Sequence, residues 1–353
     1  MLVYIQMLRF FAALAVVAFH ALGVAPHGFQ VAESAVSLAL SYGGRGVDLF
    51  FVISGFVIFY ATHRAKKLTP AEFLRRRVER IVPLYFVMIF TVTLLAMTFP
   101  AIFGTPDWYT PRHIIKSLAF IAFSDGDMPV VYVGWSLEYE MYFYLAVALL
   151  MALTREVWRN IVVMFSAAAI LGQIPGVSAA LGNYAFFADP MILEFVLGVI
   201  VGHVFVNGPI GWPLAVAATC AIAAVLVGDP ANRVIVSGVP AACLVAAAAW
   251  LSRKRIDPSW PERALARLGD ASYSIYLAQV ETVSLASTAV ASLIPAIPPL
   301  LLLMVTCCIV VALGLLLNIL VERPLLKLCR RLGGSRAPRD VMRGLDPRIH
   351  QSS

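Results

Sequence analysis

The sequence predicts an all-α polytopic membrane protein, with about ten transmembrane helices and both termini in the cytoplasm. Three observations carry the prediction. Of the 353 residues, 61% are hydrophobic and only 13% charged, more apolar surface than one soluble core can hide. The apolar residues gather in runs of about 20, the length that crosses a bilayer as a helix. With the N-terminus inside, 23 of the 27 Lys and Arg fall in cytoplasmic segments and 4 outside. The net charge of +7 is therefore a topology signal rather than a nucleic-acid footprint, and no nucleic acid is expected as partner. The lipid bilayer is.

The runs lie near 8–26, 43–62, 81–100, 131–153, 158–175, 184–206, 210–228, 232–251, 271–293 and 298–321. The first reads as an uncleaved span, because the segment before Arg9 lacks the basic character of a signal peptide. Arg9 and His20 are eleven positions apart on it, three turns and nearly one face, roughly 16 Å along the axis. A charge at bilayer depth costs at least about 2.5 kcal/mol, so ionisable groups there usually face a protein interior. Snorkelling at the cytoplasmic end explains Arg9 equally well, whereas His20 lies deeper.

The second run opens GGRGVDLFFVISGF. It places Asp48 just inside the outer boundary, as a helix-start carboxylate or a cavity group, with Ser54 and Gly55 small enough for close packing. The next inside loop holds Arg75, Arg76, Arg77 and Arg80. Arg77 and Arg80 are one turn apart and can fork onto one phosphate, or the cluster merely fixes topology and touches anionic lipid. Pro83 then fits the first turn of the third span. Residues 101–130 form the longest outside connection, with Trp108 and Tyr109 available to an extracytoplasmic substrate and His113 read as a solvated loop residue.

In the fourth span, Glu138 and Glu140 point to opposite faces and cannot pair, while Ser136, Glu140 and Tyr144 share one polar, aromatic face beside Trp135. Gly198 and Gly202 are spaced for close helix contact after Glu194, and Asp189-Pro190 reads as a turn. Asp270 and Ser272 mark the start of the ninth span. Residues 1–328 thus make one helical membrane unit, and 329–353 a basic, disordered tail. Of Cys220, Cys243, Cys307, Cys308 and Cys329, four lie in apolar runs and none has C-x-x-C spacing, so no disulfide and no metal site is expected.

The order of these motifs resembles the membrane-bound acyltransferase family 3, bacterial O-acyltransferases of surface polysaccharides and related glycans. Carrying it are Arg9-x10-His20, GVDLFFVISGF from Gly46, RRVERIVPLY from Arg76, WSLEYEMYFYL from Trp135, LGDASYSIYL from Leu268 and ERP from Glu322, over residues 1 to about 328. The resemblance implies a multi-pass protein of the bacterial inner membrane. It also implies that His20 is the essential base or acyl carrier, with Arg9 its partner, and that Asp48 and Glu140 are acidic site positions. Acyl-CoA, most simply acetyl-CoA, is then held by Arg77 and Arg80 beside Arg76. Ser54, Trp135, Ser136 and Tyr144 are left to meet the substrate, and the acceptor is a glycan or a lipid-linked glycan. Glu138 departs from the family, whose members often carry a small polar residue there. Two alternatives stay open: an O-succinyltransferase of the same family, and a transporter or flippase for a glycan precursor. The carrier reading lacks the matching halves that carriers often show.

Overall fold

The computed structural model describes residues 2–24, 42–65, 68–100, 109–208, 233–255 and 257–332. They are helical, with no strand among them. In chain order the helices are α1 Val3–Val24, α2 Gly46–Arg64, α3 Pro70–Thr98, α4 Pro111–Leu118, α5 Trp135–Leu153, α6 Val157–Gly172 and α7 Pro175–Leu181. Then follow α8 Ile192–Asn207, α9 Val239–Lys254, α10 Trp260–Asp270, α11 Ser272–Leu293, α12 Pro299–Leu317 and α13 Arg323–Leu332. Short turns lead into α2, α5 and α9, and a π turn, Asn318–Glu322, joins α12 to α13.

Six of these segments are long and apolar enough to cross a membrane: those of α1, α2, α3, α5 and α9, and the α12–α13 run. A seventh arises if α6 and the segment after it, bent by 99°, count as one span. The expected run 210–228 lies outside the described residues. The expected eighth and ninth spans form α9 and α11, but α11 carries Ser, Thr, Gln and Glu along its length and falls short on apolarity. At 16 residues α8 spans only about 24 Å, less than a bilayer core.

Local chemistry explains where the elements begin. Thr69 caps α3 by accepting from the Glu72 amide at 3.2 Å, with Pro70 in the first turn. The helix consequently starts eleven residues before the expected boundary at 81. The four arginines lie on it rather than in a loop, and Pro83 sits in its interior. Asp189 Oδ1 accepts from the Met191 amide at 2.8 Å, making the expected turn before α8. Asp270 ends α10 instead of starting α11, and Ala271 bends the chain between them.

The core is aromatic. Phe195 of α8 stacks with Phe51 of α2 and with Phe143 of α5, each at a ring-centroid distance of 4.7 Å. Beside them α2 and α8 cross at Gly55 and Gly198. A Cβ at either position would overlap the facing backbone, the Phe195 or the Val52 oxygen. Backbones this close are the usual product of small residues in membrane helices.

Candidate functional site

α1 carries Arg9 near its first turns and His20 near its last, and the two open into different cavities. The first, of about 120 Å³, is walled by Arg9, Arg77, Arg80, Ser54, Ser136, Glu140 and Tyr144. The second, of about 230 Å³, is walled by His20, Trp135, Tyr132, Arg45 and Arg233. Val47 and Tyr276 line both, so these two side chains form the partition between them.

In the first cavity the face expected on α5 is built. Glu140 accepts from Ser54 at 2.5 Å and from Tyr144. Ser136 lies 2.8 Å from the Tyr276 hydroxyl and donates to the Val133 carbonyl at 3.0 Å. Glu138, on the opposite face, is buried and accepts from the Phe123 and Ser124 amides at 2.8 and 3.1 Å. It ties the connection between α4 and α5 to α5. His113 lies on α4 and is buried, not solvated.

The arginines divide. Arg76 is paired with Glu72 at 2.5 Å and does not line the cavity. Arg80 is paired with Glu322, a buried acid that also accepts from Ser274 at 2.5 Å and Asn318 at 2.7 Å. Arg77 leans on the Phe73 ring at 5.8 Å, and its buried Nε meets no partner among the described residues. A guanidinium N–H left without a partner in a cavity wall suits an anionic ligand.

In the second cavity His20 is flanked by Phe19 and Tyr132, with ring centroids at 5.3 and 6.1 Å. Among the described residues its buried Nδ1 accepts or donates no hydrogen bond, and fully buried Gln279 beside it is likewise without one. Neither expected acid reaches it. Asp48 is fully buried and takes both its oxygens to Arg233, at 2.7 Å from Nε and 2.9 Å from Nη2. Glu140 belongs to the other cavity. Among the described residues no carboxylate is within ion-pair distance of His20. Sequence reasoning missed Arg45, Arg233, Gln279 and Tyr276 as site residues, and the Glu322 clamp on Arg80. Arg45 and Arg233 stood in the count only as two of the few outside basic residues. No group of three or more His, Cys, Asp or Glu able to hold a metal occurs among the described residues.

Comparison with known proteins finds a family and relatives for the chain. A family model described as an acyltransferase domain, of acyltransferase family 3, matches residues 2–319. The exopolysaccharide production protein ExoZ of Rhizobium meliloti is 34% identical over 265 residues, covering 70% of this chain and 78% of that protein. The acyltransferase MdmB of Streptomyces mycarofaciens is 28% identical over 303 residues, 76% of each chain. No solved structure matches the chain.

Proposed function

The chain belongs to acyltransferase family 3 and is an acyl-transferring enzyme of a membrane. From that premise we propose that it moves an acyl group, in the simplest case acetyl, from acyl-CoA to a hydroxyl of a surface or exported glycan. The observation that carries the reading is the pair of cavities meeting at Val47 and Tyr276, one walled by Arg9, Arg77 and Arg80 and the other by His20 with Arg45 and Arg233. The relative named for exopolysaccharide production supports the acceptor class.

The arginine-rich end faces the cytoplasm of a bacterial inner membrane, where the basic loops lie, and both termini are on that side. Arg77 binds a phosphate of the donor, and Arg80, held by Glu322, adds its field. Arg9, in the same cavity as Arg77, donates to the pantetheine arm of the donor. A sugar hydroxyl is a poor nucleophile at neutral pH, and a histidine is suited to accept its proton. The thioester C–S bond breaks, the ester C–O bond forms, and the proton passes through His20 to the departing CoA thiolate. As acyl carrier, His20 forms an N–C bond as the thioester C–S bond breaks, and the hydroxyl oxygen then displaces the imidazole nitrogen, which takes up the hydroxyl proton. Lipid-linked glycans are acceptors by the same chemistry.

The test is the ester content of the host's surface polysaccharide by proton NMR, in a deletion strain complemented with wild type or His20→Ala. Ester methyl signals should vanish on deletion, return with wild type and stay absent with the variant. Succinyl methylenes behaving this way would change the donor and keep the enzyme. Wild-type ester levels in the inserted variant would overturn the role given to His20.

A further inference from the structure

The cavity that holds His20 has cationic walls. Arg45 and Arg233 line it, and no acidic side chain does among the described residues. Both guanidiniums are anchored to one small region. Arg233 precedes the π turn Val234–Gly238 and forks onto Asp48, which balances its charge. Arg45 stands three residues before Asp48 and donates to Ser237 in that same turn at 2.6 Å. A serine hydroxyl orients a guanidinium but leaves its charge in place. No ion pair of Arg45 occurs among the described residues, and its other neighbour is the Tyr42 ring at 6.0 Å. The nearby acid Glu194 is fully buried, both its oxygens lack hydrogen-bond partners among the described residues, and it does not line the cavity.

The remaining wall is aromatic. Phe19 and Tyr132 flank the imidazole edge-on and are 38% and 44% exposed, so their rings are open to a ligand. Apolar and aromatic walls with a few convergent polar groups are the usual make-up of a small-molecule site. A partly buried cation with no ion pair among the described residues favours a counter-charge, and the guanidinium fork matches carboxylate and phosphate geometry.

We propose that the His20 cavity takes an anionic acceptor: a sugar hydroxyl close to a carboxylate or phosphate, which Arg45 binds while Phe19 and Tyr132 pack on the sugar. This rests on the acyltransfer reading above and narrows its acceptor. The shared chemistry is the anion. It comes either from an acidic sugar or from the diphosphate of a lipid-linked precursor.

The test uses the full-length chain in detergent micelles with labelled acetyl-CoA. Three probes are offered: cellobiose, cellobiouronic acid, and cellobiose joined through a diphosphate to a short polyprenol. A charge-assisted contact corresponds to roughly tenfold or more in kcat/KM. Wild type should therefore favour a charged probe over cellobiose by at least that factor, and whichever charged probe is favoured identifies the source of the anion. R45Q should lower the preference at least tenfold, and R45K by less. An unchanged preference in R45Q, or no preference in wild type, overturns the proposal. A second readout does not depend on turnover: protection of His20 from diethyl pyrocarbonate, followed by mass spectrometry of its peptide. Each charged probe is titrated against cellobiose, in wild type and R45Q. If wild type acylates no probe, the glycan-acceptor reading fails. The anion subsite then stands if a charged probe protects at lower concentration than cellobiose in wild type only, and falls if none does.

Discussion

Arg76, Arg77 and Arg80 share a short stretch of one helix, yet their partners give them three different jobs. Arg76 is spent on Glu72, Arg80 is locked to a buried acid at the far end of the chain, and Arg77 keeps a buried N–H without a partner. A charge-assisted contact to a phosphate is worth about 1.5–3 kcal/mol, so Arg77→Ala should raise the KM for acyl-CoA about tenfold to a hundredfold. Arg76→Ala should have the smaller effect, because a half-exposed i,i+4 pair contributes only about 0.3–0.5 kcal/mol. Thiol release against donor concentration checks both, and equal effects would remove Arg77 from the donor site. Arg9 and His20 stood out in the sequence because lipid makes any ionisable side chain conspicuous. The partners did not. Asp48 meets Arg233 across 185 positions and Arg80 meets Glu322 across 242, and no local pattern encodes which distant residue a helix will face.

At the scale of elements, the amphipathic helix α10 shows how a segment outside the spans is fastened to one inside. Ser259 and Glu262 form a capping box, Tyr4 of α1 donates to Glu262 at 2.6 Å, and Arg255 pairs with it at 2.9 Å. These hydrogen bonds, the one from Tyr4 foremost, hold the Glu262 carboxyl down at about 2. Its ordinary value is about 4.3, so the folded-state value is depressed. The contribution is therefore fully present above the ordinary carboxylate range and is lost only as pH falls through about 4 toward 2. Hydrogen exchange of peptides over 257–270 should stay slow from pH 7 to 5 in wild type, once intrinsic rates are corrected, and be faster throughout in Glu262→Gln. Matching protection in the two proteins would show that the cap does not hold α10. Elements of this kind were legible, since the Gly198 spacing, the Asp189-Pro190 turn and the α5 face follow from local periodicity. The start of α3 was not. Hydropathy marks where the apolar run begins, whereas the helix begins where Thr69 and Pro70 can cap it, eleven residues earlier.

For the molecule as a whole, what matters is that the two cavities meet back to back. On the proposed function the donor's charged end lies with Arg77 and the acceptor with His20, so the acyl group would cross the boundary formed by Val47 and Tyr276. Tyr276 is pinned through its hydroxyl to Ser136 at 2.8 Å, whereas Val47 is held by packing alone and sits one residue before the Asp48–Arg233 fork. Enlarging Val47 should therefore narrow the passage without touching a charged group. In a Val47→Leu and Val47→Phe series, acetyl-CoA binding should persist while transfer falls stepwise with side-chain volume. Transfer of a longer acyl group should fall faster than transfer of acetyl. Overpacking a filled site costs about 1–3 kcal/mol, so the melting temperature of each variant has to be followed in parallel. Loss of donor binding in step with transfer would mean that Val47 only supports the fold. Retained binding with graded, size-dependent loss would mark the Val47–Tyr276 boundary as the path of the acyl group.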